Sequence, residues 1–240
     1  MSEFFANSLM NGFTKSSLMG QGIVLAQLLA SVFMLAIAIG KFKALSGMSQ
    51  AARRVTRDVM GGRYVLDYYL ARHSNGQAPL ENIYWAACER FLRLLAPDVR
   101  NLILAQQPGV EVALTAHEMG LVKSICEHVL DEEEIRVEHG MGAIANVVAL
   151  APMLGLLGTV WGVLDAFADM GEAGSATIAT MAPAISSALV TTVVGLLVAI
   201  PGVLLHTRLS AKARALMSVM EGFTDDLTGR IALDFQKRGA

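Results

Sequence analysis

Residues 140–164 read GMGAIANVVALAPMLGLLGTVWGVL, and residues 173–207 read AGSATIATMAPAISSALVTTVVGLLVAIPGVLLHT. Neither run contains Asp, Glu, Lys or Arg. A helix needs about 20 apolar residues to cross the hydrocarbon core of a bilayer. Both runs qualify, and the second is long enough to tilt or to project beyond the bilayer. A third run, Ser16–Gly40 (SSLMGQGIVLAQLLASVFMLAIAIG), is equally free of charge. Its apolar part is too long for a typical leader, and Lys41 and Lys43 follow it. A secretory signal carries its positive charge ahead of the apolar stretch. A retained transmembrane helix is therefore expected.

Composition agrees with a membrane protein. Of 240 residues, 54% are hydrophobic and only 17% charged, yet aromatics are 6%, so the apolar excess is aliphatic and small. The mean hydropathy is +0.49. A soluble globule carries more charge, and a net charge of -2 gives no electrostatic case for nucleic acid. Cys88 and Cys126 form no CxxC pair, so neither a zinc site nor a disulfide framework is expected. Five scattered histidines form no HExxH or i, i+4 ligand set. GxGxxG, GxxxxGK[ST] and GxSxG are all lacking, so no enzyme, no cofactor and no metal is expected.

Orientation follows from Lys and Arg near the helix ends. Lys41, Lys43, Arg53, Arg54 and Arg57 follow the first run, Arg136 precedes the second, and Arg208, Lys212 and Arg214 follow the third. Between the second and third lie only Asp165, Asp169 and Glu172. The middle of the chain and the C-terminus are expected in the cytoplasm, the N-terminus and the short acidic loop on the other side. Tyr84–Leu95 and Val110–Leu130 place apolar residues at helical spacing, with breaks at Gly61-Gly62, Ser74-Asn75-Gly76 and Gln107-Pro108-Gly109. Asp131–Glu134 reads as a solvated acidic helix face, with a partner-docking patch as the alternative.

The resulting expectation is an all-α membrane protein of three transmembrane helices with a helical cytoplasmic domain. Residues 1–15 form an N-terminal segment and 16–40 the first transmembrane helix. Residues 41–139 form the cytoplasmic domain and 140–167 the second transmembrane helix. A loop at 168–176 leads to the third transmembrane helix, 177–206. A C-terminal helix, 207–240, continues it without a break.

Within these helices, small and hydroxylated residues fall on stripes. Gly155, Thr159 and Gly162 share one face of the second helix. Ala184, Ala188, Thr192, Gly195, Ala199 and Gly202 line one stripe of the third, with Ser187 and Thr191 beside it. Small residues at this spacing let helix backbones approach closely in lipid. Spacing alone leaves two uses open: a packing face, or a face that lines a pore or houses a partner helix. Asn146, inside the second helix, suits either an interhelical hydrogen bond or a cytoplasmic ion exit.

The run Ala151–Gly162 (APMLGLLGTVWG), followed by Ala182-Pro183-Ala184-Ile185 and by Gly195–Pro201 (GLLVAIP), resembles the TolQ/ExbB/MotA proton-channel family, most of all its ExbB and TolQ branch. The resemblance is strong over residues 140–215. It implies a homo-oligomeric ring, usually of five copies, in a bacterial inner membrane. The ring surrounds the single-pass helices of an ExbD/TolR-like partner that supplies a membrane aspartate, and a TonB/TolA-like protein receives the work. Threonines at the positions of Thr159 and Thr192 are implied to face the interior near that aspartate, with Thr191, Ser187 and Asn146 along the ion path. Gly155, Gly162, Ala184, Ala188, Gly195 and Ala199 are the expected packing positions for partner helices. Ser187 departs from the family pattern, in which many chains carry glutamate at that place. A non-conducting membrane scaffold is the alternative function, and a small self-contained transporter is a third, for which an inverted repeat is lacking.

Overall fold

The computed structural model describes residues 12–14, 16–62, 64–71, 78–105, 113–173 and 178–235. The expected breaks at 74–76 and 107–109, and most of the expected N-terminal segment 1–15, lie outside the described residues. The elements are α1 (Leu18–Gly61), α2 (Asp67–Ala71), α3 (Pro79–Leu94), α4 (Pro97–Leu104), α5 (Ala116–Glu138), α6 (Met141–Ala173) and α7 (Ile178–Phe235). No strand occurs among the described residues. Three helices are long and apolar enough to cross a membrane. Gly140, at φ 83°, takes the left-handed conformation that ends α5 before α6 begins. The helical backbone of α6 continues to Ala173, so Asp169 and Gly171 stand on the helix. Pro183 and Pro201 lie inside α7, which continues through both.

The chain divides into two compact units. The first comprises residues 1–42 and 140–210, and the second 43–139 and 211–240. In the first, large aliphatic side chains point outward: Leu25, Leu29 and Val32 on α1, Met153, Leu156 and Val160 on α6, and Leu189, Leu197 and Ile200 on α7. Small residues are buried between the helices, Ala151, Ala166, Ala188 and Ala199 among them, beside larger ones such as Ile23, Met34, Ile144 and Val198. The exposed aliphatic face is what departs from the usual soluble pattern. Lipid tails are as apolar as leucine, so burying leucine gains little in a bilayer, whereas small residues let helices touch.

The second unit is built as a water-soluble domain is built. Leu45, Val55, Leu80, Ile83, Tyr84, Phe91, Leu216, Met220, Leu227 and Ile231 form its core. The Tyr84 hydroxyl donates to the Val65 carbonyl at 2.5 Å and accepts from the Tyr69 N–H at 2.9 Å. Thr115 caps α5 in a reciprocal capping box with Glu118. The acidic run 131–134 is not solvated throughout. Glu133 is only 2% exposed. It accepts from the Asn82 amide and the Arg136 guanidinium, each at 2.7 Å, while its neighbours Asp131 and Glu132 face outward.

Arg230 closes the end of α1. Its guanidinium donates to the carbonyls of Val59 at 3.1 Å and Met60 at 3.0 Å, and to that of Gly62. The last carbonyls of a helix have no intrahelical donor, and a cation there also complements the helix dipole. Arg230→Met keeps the aliphatic stem and removes the donors. It should cost roughly 2 kcal/mol, read as an earlier thermal transition of the purified protein in detergent. An unchanged midpoint would show that these carbonyls do not depend on Arg230.

Cys88 and Cys126 are buried free thiols in the second unit. Burial pushes both up to about 12. The thiolate is the reactive form, so at pH 8 neither should react with a maleimide in the folded protein. Both should react after denaturation, and prompt labelling of the native protein would contradict their burial.

Candidate functional site

The first unit converges on one backbone group, the carbonyl of Gly155 on α6. Gly155 has no side chain, and α7 takes the vacant space. A Cβ at this position would stand 2.8 Å from the Thr192 Cα and 3.0 Å from the Thr191 carbonyl oxygen. Two more glycines act alike. A Cβ on Gly158 would meet the Thr191 hydroxyl at 2.4 Å, and one on Gly195 the Ala151 carbonyl oxygen at 2.6 Å. Gly162 abuts Ala188 in the same way, at 2.6 Å.

This approach brings hydroxyls of α7 onto the backbone of α6. Thr192 Oγ1 donates to the Gly155 carbonyl at 2.9 Å. Thr191 Oγ1 stands 3.0 Å from the same oxygen and 2.7 Å from the Ala188 carbonyl. A hydroxyl has one proton, so Thr191 serves one of these carbonyls at a time. Ser187 Oγ bonds the Ala184 carbonyl at 2.9 Å, and Thr159 Oγ1 the Leu156 carbonyl at 2.7 Å.

A side chain of α1 completes the cluster. Gln27 is fully buried. Its Nε2 donates to the Ala151 carbonyl at 3.0 Å and to the Thr191 carbonyl at 3.3 Å. Gly155 and Gly195 make the slot for this amide. A Cβ on either would lie 3.4 Å or 2.9 Å from Nε2. Next to the cluster is a cavity of about 190 Å3, lined in part by Asp165, Asp169, Ser187 and Thr191, with Ser16 and Ser17 ahead of α1. A water occupies about 30 Å3 of liquid, so several fit.

The expected site residues thus divide. Gly155, Thr191 and Thr192 meet directly, Gly195 meets Ala151 and Gln27, and Gly162 meets Ala188. These contacts lie within the chain, between its own helices. Ala184 lines the cavity, and Ala199 is buried. Asn146 is exposed, nine residues from Gly155 along α6, which is about 13 Å at 1.5 Å per residue, and does not join the cluster. Sequence reasoning did not single out Gln27 or Gly158. The signal for Gln27 was an amide within a run of apolar residues, where a polar side chain is costly unless it finds a partner.

A family model described as the MotA/TolQ/ExbB proton channel family matches residues 100–222, just over half of the chain. The chain belongs to this family. It is similar to the Tol-Pal system protein TolQ of Haemophilus influenzae, 28% identical over 220 residues that make up 90% of each chain. It is also similar to the Tol-Pal system protein TolQ of Pseudomonas aeruginosa, 33% identical over 147 residues, 61% of this chain and 58% of that one. A third relative is the biopolymer transport protein ExbB of Neisseria gonorrhoeae, 41% identical over 96 residues, 40% of this chain and 44% of that protein. The match thus spans just over half the length of the Pseudomonas relative and less than half of the Neisseria one.

The glycine contacts yield a graded test. Gly155→Ala, Gly158→Ala and Gly195→Ala each force a Cβ into backbone or hydroxyl atoms and should destabilise the purified protein by about 1–3 kcal/mol. Gly142→Ala and Gly171→Ala meet nothing within 4 Å and should be neutral or slightly stabilising. Equal melting temperatures for both groups would mean that α6 and α7 do not pack as closely as described.

Proposed function

We propose that this chain is the ring subunit of an ion-driven motor in a bacterial inner membrane. Copies of it, five by family resemblance, surround the single-pass helices of an ExbD/TolR-like partner. Ion flow along the interface drives work that a TonB/TolA-like protein passes to the cell envelope. The middle and the C-terminus are cytoplasmic, and the acidic end of α6 faces the periplasm. Thr159, Thr191, Thr192 and Ser187 line the ion path, with Asn146 towards its cytoplasmic exit. Ala184 and Ala199, with the small residues around them, set how closely partner helices approach.

The observation that carries this reading is a set of hydroxyls in an apolar unit, with the carboxylates of Asp165 and Asp169 at one end of the cavity that Ser187 and Thr191 line. Between Gly140 and Leu164, and between Ala182 and Leu205, the chain has no Asp, Glu, Lys, Arg or His. Hydroxyls can orient a proton or a water but do not ionise near neutral pH. Asp165 and Asp169 attract cations to the cavity at one end and cannot carry them across. A carboxylate must therefore come from a second protein, in a site where burial raises its pKa enough for protonation. A second reading, a non-conducting scaffold, draws on the fact that Thr191 and Thr192 already bond to backbone within the chain.

Flux separates the two. In liposomes holding the chain with its partner, a proton gradient should drive steady flux that vanishes when the partner's membrane aspartate becomes asparagine. The chain alone should show none. Thr159→Val and Thr192→Val should each cut the partnered flux at least tenfold at normal complex yield. Undiminished flux in both would remove the threonines from the path, and no flux in the wild-type complex would favour the scaffold. Topology is tested with a cysteine at Gly171, exposed on α6. It should react with an impermeant thiol reagent from the periplasmic side only.

A further inference from the structure

We propose that Gln27 on α1 is a positioning residue for the ion path, holding the backbone of α6 and α7 in the register that sets the Thr192 hydroxyl; this rests on the motor reading above. Each end of the amide has a different environment. Nε2 faces two carbonyl oxygens, those of Ala151 and Thr191. A carbonyl accepts only, so the NH2 end must point there, and the amide orientation is fixed by its partners. One donor group thereby joins all three helices of the first unit at one point. The contact with Thr191 is to the carbonyl of the residue just before Thr192, whose hydroxyl bonds Gly155. A shift of α7 that freed this carbonyl would also displace Thr192 from Gly155.

The other end of the amide supports a role beyond filling space. Gln27 Oε1 is buried and has no hydrogen-bond partner among the described residues. A residue serving only as bulk would be better apolar, because an unpaired buried acceptor is unfavourable. Gly155 and Gly195 leave room for this amide at the expense of their own side chains. The arrangement makes sense for a side chain whose donors are needed and whose acceptor is tolerated.

The test uses the full complex with its partner, in liposomes. Gln27→Met keeps length and removes the donors. Its flux should fall at least tenfold at wild-type complex yield. The double variant Gln27→Met/Thr192→Val should fall no further than Thr192→Val alone, because both changes disable one unit; independent packing defects would multiply. Wild-type flux in Gln27→Met, or a multiplied loss in the double, overturns the proposal. Should Gln27→Met not assemble, Gln27→Glu keeps the shape with fewer donors, and the same two outcomes apply to it. Hydrogen exchange separates failure of the clamp from failure of the motor reading. The segment 188–197 of α7 should exchange at least threefold faster in the variant than in the wild type, whether or not the complex conducts. Unchanged exchange overturns the clamp, and faster exchange without any wild-type flux sustains the clamp and sinks the motor.

Discussion

The Gly155 carbonyl accepts a hydroxyl from α7 only because nothing separates the two backbones. In a bilayer no hydrophobic force presses helices together, so contact and polar closure must do so. Dispersion falls away within an ångström of added separation. The first unit therefore depends on glycine at Gly155, Gly158 and Gly195, each of which would place a Cβ within 3 Å of the facing helix. Close approach comes first, and the hydrogen bonds of Thr192 and Gln27 follow from it. With the helices even slightly apart, those short polar side chains would lose their acceptors and become liabilities in the apolar interior.

The same chain solves the opposite problem in its second unit. There the buried residues are large and include Tyr84 and Phe91, whose ring stands 4.7 Å from that of Phe235. Water supplies the driving force, and apolar area rather than backbone proximity carries stability. Charged groups join the buried polarity of this unit, beside the neutral hydroxyls of Tyr84, Thr224 and Thr228. Glu133 takes donors from Asn82 and Arg136, and Arg230 gathers the free carbonyls of α1. In the first unit the buried polar side chains, Gln27, Ser187 and Thr191, are neutral, because an isolated charge at membrane depth is far more costly than a hydroxyl or an amide.

Much of this was legible in the sequence. Three runs without charge gave three helices able to span a membrane, and helical spacing elsewhere gave an all-α protein. The stripe of small residues was visible as well, but its use was not. Gly155 and Gly195 read the same on paper whether the facing helix belongs to the same chain or to another. Only coordinates pair Gly195 with Ala151 of its own α6. Gln27 escaped because a lone amide in an apolar run carries no pattern, and its partners lie more than a hundred residues away. Glu133 escaped for a related reason. It sits among like residues, and only the rotation of α5 against α3 selects which of them turns inward. Periodicity assigns a face to each residue, and pairing between distant faces decides what the face does.

On the motor reading, the direction of each hydrogen bond constrains the group that comes to the path. All four hydroxyls named there give their proton to a backbone carbonyl: Thr159 to Leu156, Ser187 to Ala184, Thr191 to Gly155 or Ala188, and Thr192 to Gly155. What each offers outward is oxygen lone pairs. An ionised carboxylate, which only accepts, gains nothing from them, whereas a protonated carboxyl or a water can donate. The path as folded therefore favours the neutral acid over the anion, the direction in which an apolar setting already shifts a carboxylate. For the anion to be held, a hydroxyl must release its carbonyl and turn. Thr191 has the least to lose, since it has two carbonyls within reach and one proton to give. On that reading, the loading and release of a proton would correspond to two settings of these side chains.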